Sequence, residues 1–181
     1  MKPRVRGLLA LTVVLLATGQ AGCGYSLAGR GSFLPAYIKR IGVPQFTNRT
    51  AVFDVDRIVT DRVRSELLGR GKYTVVPDET GVDALLSGEI ESIAIAPAAF
   101  NTQQQATRYV LILTARVEFK DVKANKVLWS NPGMQFREEY DVTTASDALD
   151  PTAFFGQNTN ALTRLATEFA RSVVSAILEA F

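Results

Sequence analysis

The sequence predicts an α+β fold, a two-layer sandwich in which two amphipathic helices pack on a four- to five-stranded mixed sheet. Three observations predict it. The chain has 181 residues, 47% of them apolar, which suits one domain with a substantial core. Apolar residues recur with a helical period in two segments and alternate with polar residues in the others. We see neither an internal repeat nor a second core, so residues 38–181 form a single domain.

The first elements are a strand and a helix. Ile41 and Val43 alternate within residues 38–46, and Pro44 marks the end of that strand or an edge position. A turn at residues 48–50 follows. The next apolar residues fall on one face of a helix that Gly69 and Gly71 end: Val55, Ile58, Val59, Val63 and Leu67.

The middle of the chain predicts three strands. A short one covers residues 73–76, and a longer one covers residues 83–95. The apolar positions of the longer strand change parity between Ile90 and Ile93, which predicts a β-bulge or a twist there. Residues 101–107 form a polar connector, and residues 107–120 are apolar on both faces at their start, as in a central strand.

The last elements are a hairpin and a helix. A loop at residues 121–126 leads into a returning strand, which Pro132-Gly133 interrupts before it continues to Val142. Asp150-Pro151 is a suitable cap for the final helix, which starts between residues 151 and 158. Its apolar stripe comprises Leu162, Leu165, Ala166, Phe169, Val173, Ala176 and Ile177.

The composition favours a binding or assembly protein over an enzyme. Twenty Lys and Arg against 18 Asp and Glu leave a charge of +2, far from the excess of a nucleic-acid binder. The chain has no His and one Cys, so it lacks the commonest general base and metal ligand and cannot form an internal disulfide. We therefore expect no catalytic residues, no metal and no cofactor.

The N-terminal segment has the organisation of a secretory signal peptide. Three basic residues precede the apolar run Leu8 to Ala17, and small residues follow. Ala21-Gly22-Cys23 resembles a bacterial lipobox, which predicts a signal peptide over residues 1–22, a lipidated Cys23 and a tether over residues 23–37. A buried N-terminal helix and a free thiol are the less favoured alternatives. Cleavage leaves 17 basic and 18 acidic residues, a charge of −1.

Three other patterns in the sequence are candidate functional sites. Residues 69–72 resemble a phosphate loop, but they lack its spacing and end a helix. Glu89 and Glu91 share a strand face and could act as an acid and a base, although a solvated face is the favoured interpretation. The basic residues Arg116, Lys120, Lys123 and Lys126 could hold a phosphorylated ligand, with a solvated face again the alternative.

The order of short motifs after the lipobox resembles the LptE family of lipopolysaccharide-assembly lipoproteins. The resemblance covers residues 20–181. The motifs that carry it are Cys23-Gly-Tyr25, Ile41-Gly-Val-Pro-Gln-Phe46-Thr-Asn48-Arg-Thr50, Tyr73-Thr-Val-Val76, Leu85-Leu-Ser-Gly88, Tyr109-Val-Leu-Ile-Leu113 and Lys126-Val-Leu-Trp129.

The resemblance implies a lipoprotein that plugs and helps assemble the outer-membrane β-barrel LptD and binds lipopolysaccharide during delivery to the outer leaflet. It implies no covalent chemistry, a location at the outer membrane, and a ligand site of basic residues near a strand-connecting loop. The loop here, residues 100–107, has no charge before Arg108, so Arg108, Arg116 and Lys120 are the candidate ligand residues.

Two alternatives stay open. Residues 43–48 also resemble the start of lipoprotein domains that regulate a cell-wall synthase or form a secretion assembly. A hydrolase that uses Glu89 and Glu91 is the least favoured hypothesis.

Overall fold

A computed structural model describes residues 34–104, 106–141 and 159–179, and these residues form an α+β sandwich of two helices and one mixed sheet. The predicted fold class is thereby confirmed. The elements in chain order are β1 (Arg40–Gly42), β2 (Thr47–Asn48), α1 (Val55–Gly69), β3 (Thr74–Val76), β4 (Ala84–Phe100), β5 (Ala106–Asp121), β6 (Lys126–Asp141) and α2 (Thr159–Leu178).

The sheet has the order β3-β1-β4-β5-β6, and β2 pairs with β4 beside this path. The pairs β1–β3, β1–β4 and β2–β4 are parallel, whereas β4, β5 and β6 form an antiparallel meander. The two-residue strand β2 was not expected, because the sequence suggested only a turn there. That turn follows directly, and the Asn48 side-chain oxygen accepts hydrogen bonds from the Thr50 amide at 2.8 Å and hydroxyl at 2.9 Å.

Both helices lie against one face of the sheet. The α1 residues Val55, Val59, Val63 and Leu67 are fully buried, as their spacing predicted. The Phe169 ring of α2 meets the Phe46 ring at 6.2 Å and the Phe136 ring at 5.1 Å, both edge to face. These rings join the second helix to both halves of the sheet.

The long strands β4 and β5 confirm two predictions. Strand β5 lies between β4 and β6 and is therefore central. The pairing passes from Ile90 opposite Ala115 to Ser92 opposite Thr114, which leaves Glu91 as the extra residue of a β-bulge.

The predicted interruption at Pro132-Gly133 is a shift in the β5–β6 register and not a gap in the strand, because β6 runs from Lys126 to Asp141. Met134 pairs with Ala115 and Asn131 pairs with Val117, so Pro132 and Gly133 are accommodated as an irregularity opposite Arg116. The missing amide proton of Pro132 costs little on β6, which lies at one end of the strand order.

Some expectations fall outside the described residues. These are the signal peptide, residues 23–33 of the tether with Cys23, and the Asp150-Pro151 cap, while α2 is described from Thr159 onward. Within the three described ranges, no helix has the length and apolar character needed to cross a membrane.

Candidate binding surface

The two faces of the meander differ sharply. On the side of β5 that faces the helices, Leu111, Leu113 and Phe119 are completely buried, whereas Arg116 on the other side is exposed. The strand register assigns one set of side chains to this second side, which we call the open face: Leu85, Ser87, Glu89, Ser92, Ala94, Ala96, Arg108, Val110, Ile112, Thr114, Arg116, Glu118, Lys120, Val127, Ser130, Gln135, Arg137 and Glu139.

Ion pairs occupy the middle of the open face. The Arg49 Nε lies 3.0 Å from Glu89 Oε1, and the Arg116 Nη2 lies 2.7 Å from Glu91 Oε1. The bulge explains the second pair, because it lets Glu91 reach the side of the sheet on which Arg116 lies. Each carboxylate therefore has its own arginine, an arrangement typical of a solvated strand face.

An apolar zone follows the ion pairs towards the β4–β5 loop. It comprises the facing pairs Ala94 with Ile112 and Ala96 with Val110. Arg137 of β6 stands directly opposite Ile112 and is exposed. The Arg108 Nη1 lies 3.6 Å from Glu139 Oε2 beyond the zone. The four apolar side chains of this zone thus lie beside two arginines, Arg137 and Arg108.

The predicted ligand residues share one face but do not form one cluster. Arg108, Arg116 and Lys120 all belong to the same side of β5. With about 3.3 Å per residue, Arg108 is roughly 26 Å from Arg116, and Lys120 is roughly 13 Å further along the strand. Arg108 adjoins the apolar zone, Arg116 is held by Glu91, and Lys120 lies near the opposite end. Cys23 lies outside the described residues.

Arg137 was missed in the sequence analysis. The signal was present, since the alternation of Met134, Phe136 and Glu138 with Gln135 and Arg137 places Arg137 on the outer side of β6. The expected break at Pro132-Gly133 removed the register that would have shown it.

A second group of polar side chains surrounds Tyr37 at the other end of the sheet. The Tyr37 hydroxyl donates a hydrogen bond to the Asp121 carboxylate, and Lys123 Nζ lies 5.5 Å from the centre of the Tyr37 ring. Lys123 Nζ also lies 2.6 Å from Asp83 Oδ1. Asp83 Oδ2 accepts hydrogen bonds from the backbone amides of Lys39 at 3.0 Å and Arg40 at 2.9 Å.

These hydrogen bonds shift the acidities of the group. The hydrogen bond from Lys123, followed by those from the two amides, lowers the pKa of Asp83. The Ala124 amide and then the Tyr37 hydroxyl lower the pKa of Asp121. The hydrogen bond to Asp121 in turn raises the pKa of Tyr37. The charged carboxylates and the neutral phenol therefore fasten the segment before β1 to the β5–β6 hairpin.

Comparison with protein families gives one match. Residues 38–177 match the LptE family, described as lipopolysaccharide-assembly. No curated protein sequence matches the chain.

The chain is similar to several solved structures at low sequence identity. A hypothetical protein from Chlamydia trachomatis gives a TM-score of 0.51 at 11% identity, over 79% of this chain and 96% of that chain, which shows a common fold. The PelC dodecamer from Paraburkholderia phytofirmans gives 0.48 at 17% identity, over 78% and 87% of the two chains. Rare lipoprotein B from Shewanella oneidensis gives 0.42 at 15% identity, over 78% and 92%.

Proposed function

The chain belongs to the LptE family of lipopolysaccharide-assembly proteins, and on this premise we propose that it is a non-enzymatic lipoprotein that plugs and helps assemble the LptD β-barrel. It is anchored to the outer membrane through lipidated Cys23. It binds lipopolysaccharide while that lipid is delivered to the outer leaflet.

The observation that carries the proposal is the open face, together with the family match. Its ion pairs and hydroxyl side chains suit the polar interior of an outer-membrane barrel. One layer of the domain is therefore a helical support, and the other is a surface for the barrel and its cargo.

The apolar zone is the part of this face that best suits lipopolysaccharide. The lipid moiety of lipopolysaccharide combines phosphate groups with acyl chains. Val110 and Ile112 offer apolar contact, while Arg137 and Arg108 offer guanidinium groups for phosphate. We therefore propose two lipopolysaccharide-binding residues: Arg108, which the sequence indicated, and Arg137, which the structure adds. Arg108 is paired with Glu139 at 3.6 Å and Arg116 with Glu91 at 2.7 Å, so both must give up a carboxylate to bind a phosphate, and Lys120 lies far from the apolar zone.

Photocrosslinking in living cells tests the proposal. A photoreactive amino acid replaces Ile112 on the open face or Gln103 in the β4–β5 loop, and Leu68, which is 53% exposed on α1, serves as the control. We expect crosslinks to LptD from Gln103 and Ile112, crosslinks to lipopolysaccharide from Ile112, and neither from Leu68.

Other crosslinking results would contradict the proposal. If affinity purification from native outer membranes recovers no barrel protein, the plug role is wrong. If Gln103 and Ile112 crosslink to a periplasmic enzyme instead, the chain acts as a regulator of that enzyme. If Ile112 crosslinks to LptD but never to lipopolysaccharide, the assembly role stands without the ligand site.

A further inference from the structure

One end of the sheet collects basic side chains from distant parts of the sequence. At this end, which we call the base, β1, β3, β4 and β6 begin and β5 ends. Lys39, Lys72, Lys120 and Lys126 all lie there, and within the part of the chain that the structure describes none of them forms an ion pair. Of the carboxylates at this end, Asp83 is paired with Lys123 and Asp121 accepts the Tyr37 hydrogen bond, so the four further ammonium groups leave the base with a net positive charge.

Exposed apolar side chains accompany these lysines. Tyr37, Val122 and Val127 are 44%, 41% and 42% exposed. All three belong to the same place, because Tyr37 contacts Asp121, the Val122 amide donates to the Asp83 carbonyl at 2.9 Å, and Val127 pairs with Lys120. Lysines that alternate with an aromatic ring and small apolar residues are typical of a surface that rests on lipid headgroups.

The base also lies next to the point where the chain enters the domain. Leu34 is buried, and the contacts of Tyr37 with Asp121 and Lys123 fasten the following segment to the hairpin. Ten residues separate Cys23 from Leu34, and such a segment spans at most about 40 Å when extended. A lipid on Cys23 would therefore keep the base near the membrane surface.

We propose that the base docks on an anionic phospholipid surface, the leaflet that holds the acyl chains of Cys23. The proposal rests on the lipid anchor assumed above. The four lysines attract the headgroup phosphates, and Val122, Val127 and Tyr37 enter the interfacial layer. A lipid anchor alone does not set the orientation of the domain. The second contact restricts it: the base stays at the headgroups, and the β4–β5 loop, roughly 50 Å away along β4, lies at the opposite end of the domain, where the barrel contact is proposed.

Photocrosslinking to lipid tests this contact. The lipidated protein is reconstituted into vesicles of phosphatidylethanolamine and phosphatidylglycerol, with the photoreactive residue at Val122 or, as the control, at Phe53. Phe53 is 84% exposed and precedes α1, whose opposite end leads to the base. We expect the yield of crosslinked phospholipid to be roughly fivefold higher at Val122 than at Phe53.

Charge variants add a second measurement. Lys72→Gln with Lys126→Gln should lower the Val122 yield roughly threefold, and so should replacing the anionic lipid with phosphatidylcholine. Arg57→Gln with Arg62→Gln on α1 should leave the yield unchanged. Equal yields at Val122 and Phe53, or no response to lipid charge, would overturn the proposal.

Mass spectrometry of Cys23 in the same samples separates the two proposals. Acylated Cys23 without a Val122 crosslink to lipid means that the anchor is present and the docking is wrong. A Val122 crosslink with an unmodified Cys23 means that the docking is right and the anchor is wrong.

Discussion

The ring of Phe46 lies directly over the backbone of Gly88 and fills the space that a side chain there would need. A Cβ built on Gly88 would lie 2.2 Å from Cε2 of Phe46 and 2.4 Å from its Cδ2. Phe46 is 2% exposed and also contacts Phe169 of α2. This glycine therefore determines how closely the loop after β1 packs on β4.

We expect Gly88→Ala to lower the free energy of unfolding by about 2–3 kcal/mol, because the buried ring has to shift out of a packed core. Urea denaturation measures the change. Gly133→Ala, on β6 of the same meander, is the matched control, since a Cβ there meets nothing within 4 Å. Its effect should stay within about 0.5 kcal/mol. Similar losses for both variants would contradict the packing argument.

The lowered pKa of Asp121 predicts acid sensitivity. A carboxylate whose pKa is lower in the folded state contributes stability that is complete above its unfolded pKa of about 4 and is lost as the pH falls below that value. Asp121→Asn should therefore lower the urea midpoint at pH 7 and reduce its further decrease in acid. Glu79→Gln, at an exposed loop position, should retain the full acid dependence. An unchanged acid dependence in the Asp121 variant would refute the assignment.

The raised pKa of Tyr37 predicts the opposite dependence in alkali. Its neutral hydroxyl stabilises the folded state fully below the unfolded pKa of about 10, and that contribution is lost as the pH rises through the higher folded value. Spectrophotometric titration of the phenols should show one tyrosine that ionises late and is missing in Tyr37→Phe. The urea midpoint of this variant should also decrease less above pH 10 than that of the native chain.

Arg137 should contribute to lipopolysaccharide binding. Replacing it with Gln removes an exposed guanidinium beside Ile112, and we expect the dissociation constant to rise about threefold to tenfold. Arg62→Gln on α1 serves as a control of equal charge change. Surface plasmon resonance with purified lipopolysaccharide measures both variants, and equal effects would mean that only the net charge matters.

Cys23 should be the site of processing and lipidation. We expect Cys23→Ala to leave the signal peptide uncut by the lipoprotein peptidase, since the enzyme acts before a modified cysteine. Mass spectrometry of the native protein should find an acylated Cys23 at its N-terminus. A mature chain that starts elsewhere with an unmodified Cys23 would refute the lipid anchor.

Local patterns in the sequence were sufficient for both helices, for every strand except β2, and for the two layers. The spacing of Val55, Val59, Val63 and Leu67 specified the buried face of α1, because a helix repeats every 3.6 residues whatever it packs against. The change of parity between Ile90 and Ile93 specified the bulge in β4 for the same reason, since strand side chains alternate strictly.

The contacts that give the surfaces their chemistry could not be predicted in this way. Arg49 meets Glu89 and Tyr37 meets Asp121 only because the sheet brings together residues 40 and 84 positions apart. Pro132 suggested an interruption of the strand, yet its place on β6, at one end of the strand order, lets the strand pass through it with a shift in register.

The sequence by itself therefore determined the α+β class, the helices, the central strand and the resemblance to the LptE family. Only the tertiary structure decided that Arg116 is paired, that Arg137 adjoins the apolar zone and that four lysines meet at the base. The physical reason is that periodicity reports the burial of each segment, whereas strand order and register decide which charges become neighbours.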